Sequence, residues 1–121
     1  MLNEISKQVY EANKLNGFDG QKENLSQTLL LIVSEIVEAQ DALRTNSYTQ
    51  ANLNVIGGWV SNEDFIKSYK ESVKGTFEEE IADTFIRLMD LVGAFEIDID
   101  KHIELKRRFN SLREHKHGKA F

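Results

Sequence analysis

Leu29-Leu-Leu-Ile-Val-Ser-Glu-Ile-Val-Glu-Ala-Gln-Asp-Ala-Leu43 is the most apolar stretch of the chain, and it decides the fold. Its apolar residues recur at helical spacing and cover more than one stripe, which predicts a long helix that packs on more than one side. Glu35 and Glu38 interrupt this surface. Because they are three residues apart, both carboxylates project from one helix face, a turn apart.

A second stretch, Phe77-Glu-Glu-Glu-Ile-Ala-Asp-Thr-Phe-Ile-Arg-Leu-Met89, repeats this arrangement. Glu80 and Asp83 are again three residues apart and are again flanked by apolar positions. If the two helices pack antiparallel, all four carboxylates converge at one point. Two such acidic pairs, each inside the apolar section of its own long helix, are difficult to explain as accident.

Helical periodicity also marks the rest of the chain, whereas strand-like alternation of useful length is missing. We predict main helices over about 3–15 and 22–44, one that Thr76 starts, and one from about 99 to 113. Thr76 with Glu79 three residues later has the pattern of a capping box. The segment 46–75 reads as an insertion with a short helix that Ser61 or Asn62 caps. The fold class is therefore all-α, a bundle of about four main helices plus a short helix, in a single domain spanning 1–121.

The four converging carboxylates predict a metal site. Carboxylates that ionise together near apolar walls repel one another and lose solvation, so the arrangement calls for a cation. Mg²⁺ prefers oxygen ligands and keeps positions for water or phosphate. Since the chain has no cysteine, and no histidine stands beside these acids, the pattern favours Mg²⁺ over zinc, with Mn²⁺ as a substitute. The predicted metal ligands are Glu35, Glu38, Glu80 and Asp83.

The competing interpretation of any acidic helix pair is a solvated face. Five acids are expected to be of that kind: Glu78, Glu79, Asp41, Asp90 and Glu104. Of these, Asp90 is kept as a second-tier candidate for the site, because it lies seven residues past Asp83 on about the same face.

Composition restricts the function classes. The 121 residues carry a formal net charge of −5, which disfavours general binding to nucleic acid or to an anionic membrane. The first residues lack the apolar centre of a signal peptide, and the longest apolar run, Leu29–Val33, is far too short to span a bilayer. We therefore expect a soluble, cytoplasmic protein.

The two acidic pairs together resemble the motifs of the MazG-like, all-α nucleotide pyrophosphohydrolase superfamily. Those motifs are Glu-x-x-Glu followed by Glu-x-x-Asp, here Glu35-Ile-Val-Glu38 and Glu80-Ile-Ala-Asp83. The flanking residues are also similar to the "SELGEA" and "EELADV" phrases usual in that family. A third block resembles the C-terminal ending of many small members: Lys106, Asn110 and Arg113, followed by His117-Gly118-Lys119. One departure is the 41 residues, 39–79, that separate the motifs, where family members usually have a short link.

The resemblance implies Mg²⁺-dependent hydrolysis of a nucleoside or deoxynucleoside triphosphate to the monophosphate and pyrophosphate. Glu38 is our candidate for the catalytic residue that orients or deprotonates the attacking water. Lys106, Asn110 and Arg113 recur at four and three residues and so share one helix face, where cations and an amide suit a polyphosphate. The predicted phosphate-binding residues are these three with Lys116 and Lys119 of the basic C-terminal tail, 114–121.

Two alternatives stay open. The chain could be a non-catalytic helical dimerisation or regulatory module with a structural cation site. A di-iron or di-manganese carboxylate bundle is disfavoured, because the mid-helix histidines of such bundles are missing. The broad apolar helix surfaces exceed what four short helices can hide, so we expect a homodimer or homotetramer. The base and sugar preferences are not determined by the sequence.

Overall fold

The computed structural model describes residues 1–17, 19 and 21–113, and over these residues the fold is all-helical, as predicted. No strand occurs in this part of the chain. None of its helices is both long and apolar enough to cross a membrane. In chain order the helices are α1 (Leu2–Leu15), α2 (Leu25–Arg44), α3 (Leu53–Gly57), α4 (Asn62–Ser72), α5 (Phe77–Ala94) and α6 (Ile99–Ser111).

Backbone contacts divide the chain into two compact units. The first unit comprises Met1–Glu23 and Met89–Phe121, and the second comprises Asn24–Leu88. The second unit therefore holds α2, α3, α4 and the first part of α5, whereas α1, α6 and the end of α5 belong to the first.

The inserted segment of the second unit contains two helices where the sequence predicted one. Ser61 caps α4 by accepting a hydrogen bond from the Asp64 amide at 3.3 Å, as expected. The additional helix, α3, is capped by Asn52, whose side chain accepts from the Asn54 amide at 2.9 Å. At five residues, α3 is too short to show a helical period, which is why the sequence read this stretch as irregular.

The start of α5 confirms the predicted cap at Thr76 and modifies it. The Thr76 hydroxyl accepts a hydrogen bond from the Glu79 amide at 3.3 Å. Glu79 reaches back one residue further than a capping box requires, and its carboxylate accepts from the Gly75 amide at 2.8 Å. Gly75 has φ +79°, a left-handed conformation that glycine adopts without strain. The turn into α5 is therefore fixed by both side chains.

In the first unit, the N-terminus of α1 is held by two aspartates at the start of α6. Asp100 accepts hydrogen bonds from the Leu2 and Asn3 amides at 2.9 and 3.2 Å. Asp98 accepts from the Asn3 side chain at 2.9 Å and caps α6 by accepting from the Lys101 amide at 3.2 Å. These bonds satisfy amides at two helix starts that lack partners within their own helices.

The same unit also has a very close helix approach at Gly93 of α5. A Cβ atom at this position would lie 2.5 Å from the Ser6 carbonyl oxygen and 2.6 Å from the Tyr10 Cβ. Glycine is therefore required here by space rather than by backbone conformation.

Few large apolar side chains are enclosed by the described chain. The buried apolar residues are mostly small or medium in size, and no large side chain is fully buried. On α2, by contrast, Leu30, Ile36 and Val37 are 68%, 52% and 54% exposed. Most of the apolar surface that the sequence showed on this helix therefore has no cover within its own unit.

Candidate metal centre

Five carboxylates of α2 and α5 come together in the second unit. Oxygens of Glu35, Glu38 and Glu80 lie within 4.8 Å of one another. Oxygens of Glu79, Glu80 and Asp83 form a second group within the same distance, so Glu80 belongs to both. We call these five residues the acid cluster. It contains all four residues that the sequence predicted as metal ligands, and Glu79 in addition.

The two helices run antiparallel at the acid cluster, as the convergence of the acids required. Glu38 of α2 lies beside Glu80 of α5, and Glu35, one turn earlier in α2, contacts Arg87, two turns later in α5. The three-residue spacing within each pair therefore places both pairs on facing sides of the two helices.

Burial differs across the acid cluster. Glu35 is buried, Glu79, Glu80 and Asp83 are half-buried, and Glu38 is exposed. The site consequently has a closed side at Glu35 and an open side at Glu38, where water or a ligand can reach the carboxylates.

One cation contacts the acid cluster among the described residues. The Arg87 Nε donates a hydrogen bond to the Glu35 carboxylate at 2.8 Å, which is also an ion pair. Burial alone would raise the pKa of Glu35, but this bond, a hydrogen bond with Glu38 and the charge of Arg87 together hold the pKa below its ordinary value. Glu35 is therefore kept ionised.

Three other acids of the cluster, Glu80, Glu38 and Asp83, hold protons more tightly than free carboxylates do. Burial, together with hydrogen bonding to Glu38, raises the pKa of Glu80 to about 7. A hydrogen bond with Glu35 and the charge of Glu35 raise the pKa of Glu38. Burial and the charges of Glu35 and Glu79 raise the pKa of Asp83. Mutual repulsion in the acid cluster thus exceeds what one guanidinium offsets.

The donor set fits a hard divalent cation. All available ligand atoms are carboxylate oxygens, the type that Mg²⁺ and Mn²⁺ prefer. Opposite oxygens around an octahedral Mg²⁺ lie about 4.2 Å apart, so groups within 4.8 Å need only small side-chain adjustments. Glu80 gives a second indication, since its Oε2 is enclosed and has no hydrogen-bond partner. A buried acceptor without a donor is costly, and a cation removes that cost.

Glu79 was expected to be solvated, and this prediction is wrong. Its carboxylate accepts hydrogen bonds from the Tyr69 hydroxyl at 2.6 Å and from the Gly75 amide at 2.8 Å. Burial and the bond to Glu79 raise the pKa of Tyr69 to about 12, so this phenol stays a donor at any neutral pH. Tyr69 belongs to α4, which connects the inserted segment to the acid cluster.

Three of the predicted phosphate-binding residues, Lys106, Asn110 and Arg113, lie in the first unit. The cations of Lys106 and Arg113 are 5.2 and 5.4 Å from the ring centroid of Phe109, although Arg113 follows the end of α6 at Ser111. Asn110 is half-buried, and its Oδ1 has no hydrogen-bond partner. Lys116 and Lys119 lie outside the described residues. Whether any of these side chains binds phosphate stays a prediction.

Asp90 has a different partner from the acid cluster. It belongs to the first unit, and it accepts a hydrogen bond from the buried Gln21 side chain at 2.6 Å. This contact connects α5 to the segment between α1 and α2. Asp90 is not in either group of converging carboxylates.

A groove of about 600 Å³ also lies in the first unit, between α1 and the connection from α5 to α6. Lys7, Tyr10, Glu11 and Glu96 are among its lining residues. Its walls contain no group of converging ligand atoms, so we place the candidate site at the acid cluster and not in this groove.

Sequence reasoning missed three contributors: Arg87, Glu79 and Tyr69. A signal for Arg87 exists, because it is the only basic residue of α5 and follows Asp83 by one helical turn. Tyr69 gives no comparable signal, since its contact with Glu79 depends on how the insertion folds.

Comparison of the chain with protein-family models, with curated proteins and with solved structures gives no match.

Proposed function

We propose that this protein is a Mg²⁺-dependent pyrophosphohydrolase of nucleoside or deoxynucleoside triphosphates, similar to the MazG-like enzymes. The observation that carries the proposal is the convergence of the two acidic pairs on facing helices. Glu80 has an oxygen within 4.8 Å of Glu35 and Glu38, it shares a second such group with Asp83, and its enclosed Oε2 has no donor. The resemblance of the two motifs to the family pattern supplies the reaction.

Each acid has a part in this proposal. Glu35, Glu38, Glu80 and Asp83 would hold Mg²⁺, with Mn²⁺ as a substitute. When bound, the ion neutralises charge on the phosphates and lowers the pKa of water. Glu35, already ionised by Arg87, supplies a negative ligand without first losing a proton. The half-buried Glu80 belongs to both groups of converging carboxylates, so it could contribute a ligand oxygen to a cation in either group.

Glu38 is the proposed catalytic residue. It is the exposed member of the acid cluster, so it can contact water beside a bound nucleotide. Its raised pKa makes it a stronger base than an ordinary carboxylate. In the proposed step, the water oxygen bonds to phosphorus, Glu38 accepts the proton, and the bridge between the α- and β-phosphates breaks. The products are the nucleoside monophosphate and pyrophosphate.

Four basic side chains and one amide, on α6 and in the residues that follow it, complete the proposal. Lys106, Asn110 and Arg113 would contact the phosphates, with Lys116 and Lys119 of the tail. Arginine and lysine both suit this part, because phosphate oxygens accept strong charge-assisted hydrogen bonds.

We also propose that the helices form a bundle that is completed by further copies of the chain, as a homodimer or homotetramer. The exposed apolar surface of α2 supports this, because Leu30, Ile36 and Val37 are all more than half exposed. Exposed apolar surface of this extent is typical of an interface. Light scattering after gel filtration tests the assembly, and a monomer at micromolar concentration would contradict it.

The decisive experiment is a panel of nucleoside and deoxynucleoside triphosphates incubated with the protein and Mg²⁺. We expect equal amounts of monophosphate and pyrophosphate from at least one nucleotide, and no turnover with EDTA. Release of orthophosphate with a diphosphate product would contradict the proposed bond cleavage.

Two matched variants assign the activity to the site. Glu38→Gln removes the proposed base, and a positioned base contributes about 10²–10⁴-fold to rate. Asp41→Asn removes a carboxylate from the same helix at an exposed position, where its partner is Arg44 at 3.7 Å. We expect a loss of that size in the first variant and none in the second. Full activity of Glu38→Gln would remove the site assignment.

The non-catalytic alternative is separated by binding. A dimerisation or regulatory module with a structural cation site would bind Mg²⁺ but not a nucleotide. Calorimetry with a non-hydrolysable nucleoside triphosphate in the presence of Mg²⁺ distinguishes the two proposals.

A further inference from the structure

In the proposed function, Arg87 does no more than keep Glu35 ionised. It is the single basic residue of α5, and it lies four residues, one helical turn, after Asp83. Its side chain therefore stands at the end of the acid cluster that is opposite Glu79.

Arg87 is only partly used by its contact with Glu35. The Nε atom donates to Glu35 at 2.8 Å, and this is the one hydrogen bond that the guanidinium makes to the described residues. The Arg87 side chain is 43% exposed, whereas the Glu35 side chain is 11% exposed. Most of the N–H donors of the guanidinium thus stay available on its solvent side.

The charge of Arg87 also suits an anion better than it suits the metal alone. A fixed positive charge beside the acid cluster opposes the binding of a bare cation, and it competes for a Glu35 oxygen. A polyphosphate that arrives with the metal reverses this balance, because its oxygens accept from the free donors. The planar fork of a guanidinium matches phosphate geometry and stays charged at any working pH.

We infer that Arg87 is a phosphate-binding residue, which keeps its Nε on Glu35 while its terminal nitrogens donate to a phosphate oxygen of the nucleotide. This inference rests on the proposed function and assigns a further residue to the same site. Arg87 then links a metal ligand to the substrate, so the nucleotide is held by the exposed donors of the guanidinium as well as by the cation.

The test compares Arg87→Gln with Arg44→Gln by calorimetry. Arg44 is a matched control, because it is an exposed arginine of α2 whose partner is Asp41, outside the acid cluster. The probes are Mg²⁺ alone and, with Mg²⁺ present, the α,β-imido analogue of the nucleotide that the wild-type protein hydrolyses fastest.

For Arg87→Gln we expect the affinity for the analogue to fall by about tenfold or more, which corresponds to about 1.4 kcal/mol. The affinity for Mg²⁺ alone should be unchanged or higher, because a competing charge has been removed. Arg44→Gln should change neither affinity. Unchanged analogue binding in Arg87→Gln would overturn the inference, and so would an equal loss of Mg²⁺ and analogue binding, which would assign Arg87 only to positioning Glu35.

Arg87→Lys keeps the test valid if the glutamine variant does not fold. Lysine retains the charge but loses the fork, so we expect weaker analogue binding with Mg²⁺ binding unaltered; equal analogue affinity would contradict the inference. Failure of the proposed function has a different signature. There, the wild-type protein itself would bind no analogue and release no pyrophosphate, and the inference would fail with it.

Discussion

Two sets of carboxylates in this chain are treated in opposite ways by the fold. In the first unit, Asp98 and Asp100 each accept hydrogen bonds from side-chain or backbone N–H groups at helix starts. Together with a hydrogen bond from the Met1 ammonium to Asp100 at 2.7 Å, these bonds hold the pKa of both aspartates below the ordinary value. In the second unit, Glu38 and Glu80 face other carboxylates, and their pKa values are raised.

The difference shows what each set contributes. A carboxylate that receives enough donors from its own chain stabilises the fold and needs nothing further. In the acid cluster, Glu79 receives two donors and Glu35 receives one guanidinium, but Glu80 retains an enclosed oxygen without a donor, so the cluster costs stability in the absence of a ligand. The chain satisfies Asp98 and Asp100 where α1 meets α6, whereas it leaves Glu80 unsatisfied at the candidate metal centre.

The largest expected effect is a loss of Mg²⁺ affinity when a carboxylate of the acid cluster is removed. Glu80→Gln removes the carboxylate common to both groups, and we expect Mg²⁺ affinity measured by calorimetry to fall by more than about 100-fold, beyond the loss typical of outer-shell changes. At the same time, the Tm of the metal-free protein at pH 8 should rise, since a neutral amide relieves repulsion. Unchanged Mg²⁺ affinity would show that the acid cluster is not the metal site.

A smaller effect is expected from removing a carboxylate of the first unit, where the hydrogen bonds are satisfied. Asp100→Ala removes the acceptor for the Leu2 and Asn3 amides, so we expect a Tm lower by a few degrees in thermal denaturation. Because Asp100 belongs to the other unit, Mg²⁺ affinity should equal that of the wild-type protein. If Asp100→Ala also lowered the Mg²⁺ affinity and Glu80→Gln also lowered the Tm, the two sets of carboxylates would not differ as we propose.

The smallest effect is a difference in pH dependence. The folded protein raises the pKa of Glu80 from 4.5 to about 7, so between these values it binds more protons than the unfolded chain. Stability in EDTA should therefore fall as pH rises from about 5 to 7 and level off above. The lowered pKa values of Asp98 and Asp100 act oppositely, and their contribution is lost only as pH falls below 3.8.

Thermal denaturation in EDTA at several pH values measures this slope. Glu80→Gln is the control, because it removes the group whose pKa is raised to about 7 and should make the slope smaller. Excess Mg²⁺ should restore the stability lost at higher pH, since a cation takes the place of the proton. A Tm that rises steadily from pH 5 to 8 without metal would contradict the assignment.

The helices and the convergence of the acids were predictable from local patterns. In long helices such as α2 and α5, the apolar residues recur in the sequence with a period of about 3.6 residues. A three-residue spacing places each acidic pair on one helix face. One further condition, antiparallel packing, then brings Glu38 beside Glu80. The all-α class needed no more information than this.

The missing parts depend on contacts between distant residues. Arg87 and Glu35 are 52 positions apart, and their pairing follows from the register of two helices, which no local pattern specifies. Glu79 looked like a member of an acidic surface run, but its outcome was decided by Tyr69 in the insertion. Helix α3 was missed because five residues are too few for a period.

The bond between Tyr69 and Glu79 makes the length of the inserted segment matter. Each residue of an α-helix turns the next by about 100°. Deletion of a single residue from α4 before Tyr69 would therefore swing the phenol to another side of the helix, away from Glu79. A replacement segment could therefore keep the bond between Tyr69 and Glu79 only if it changes the length of α4 before Tyr69 by whole helical turns.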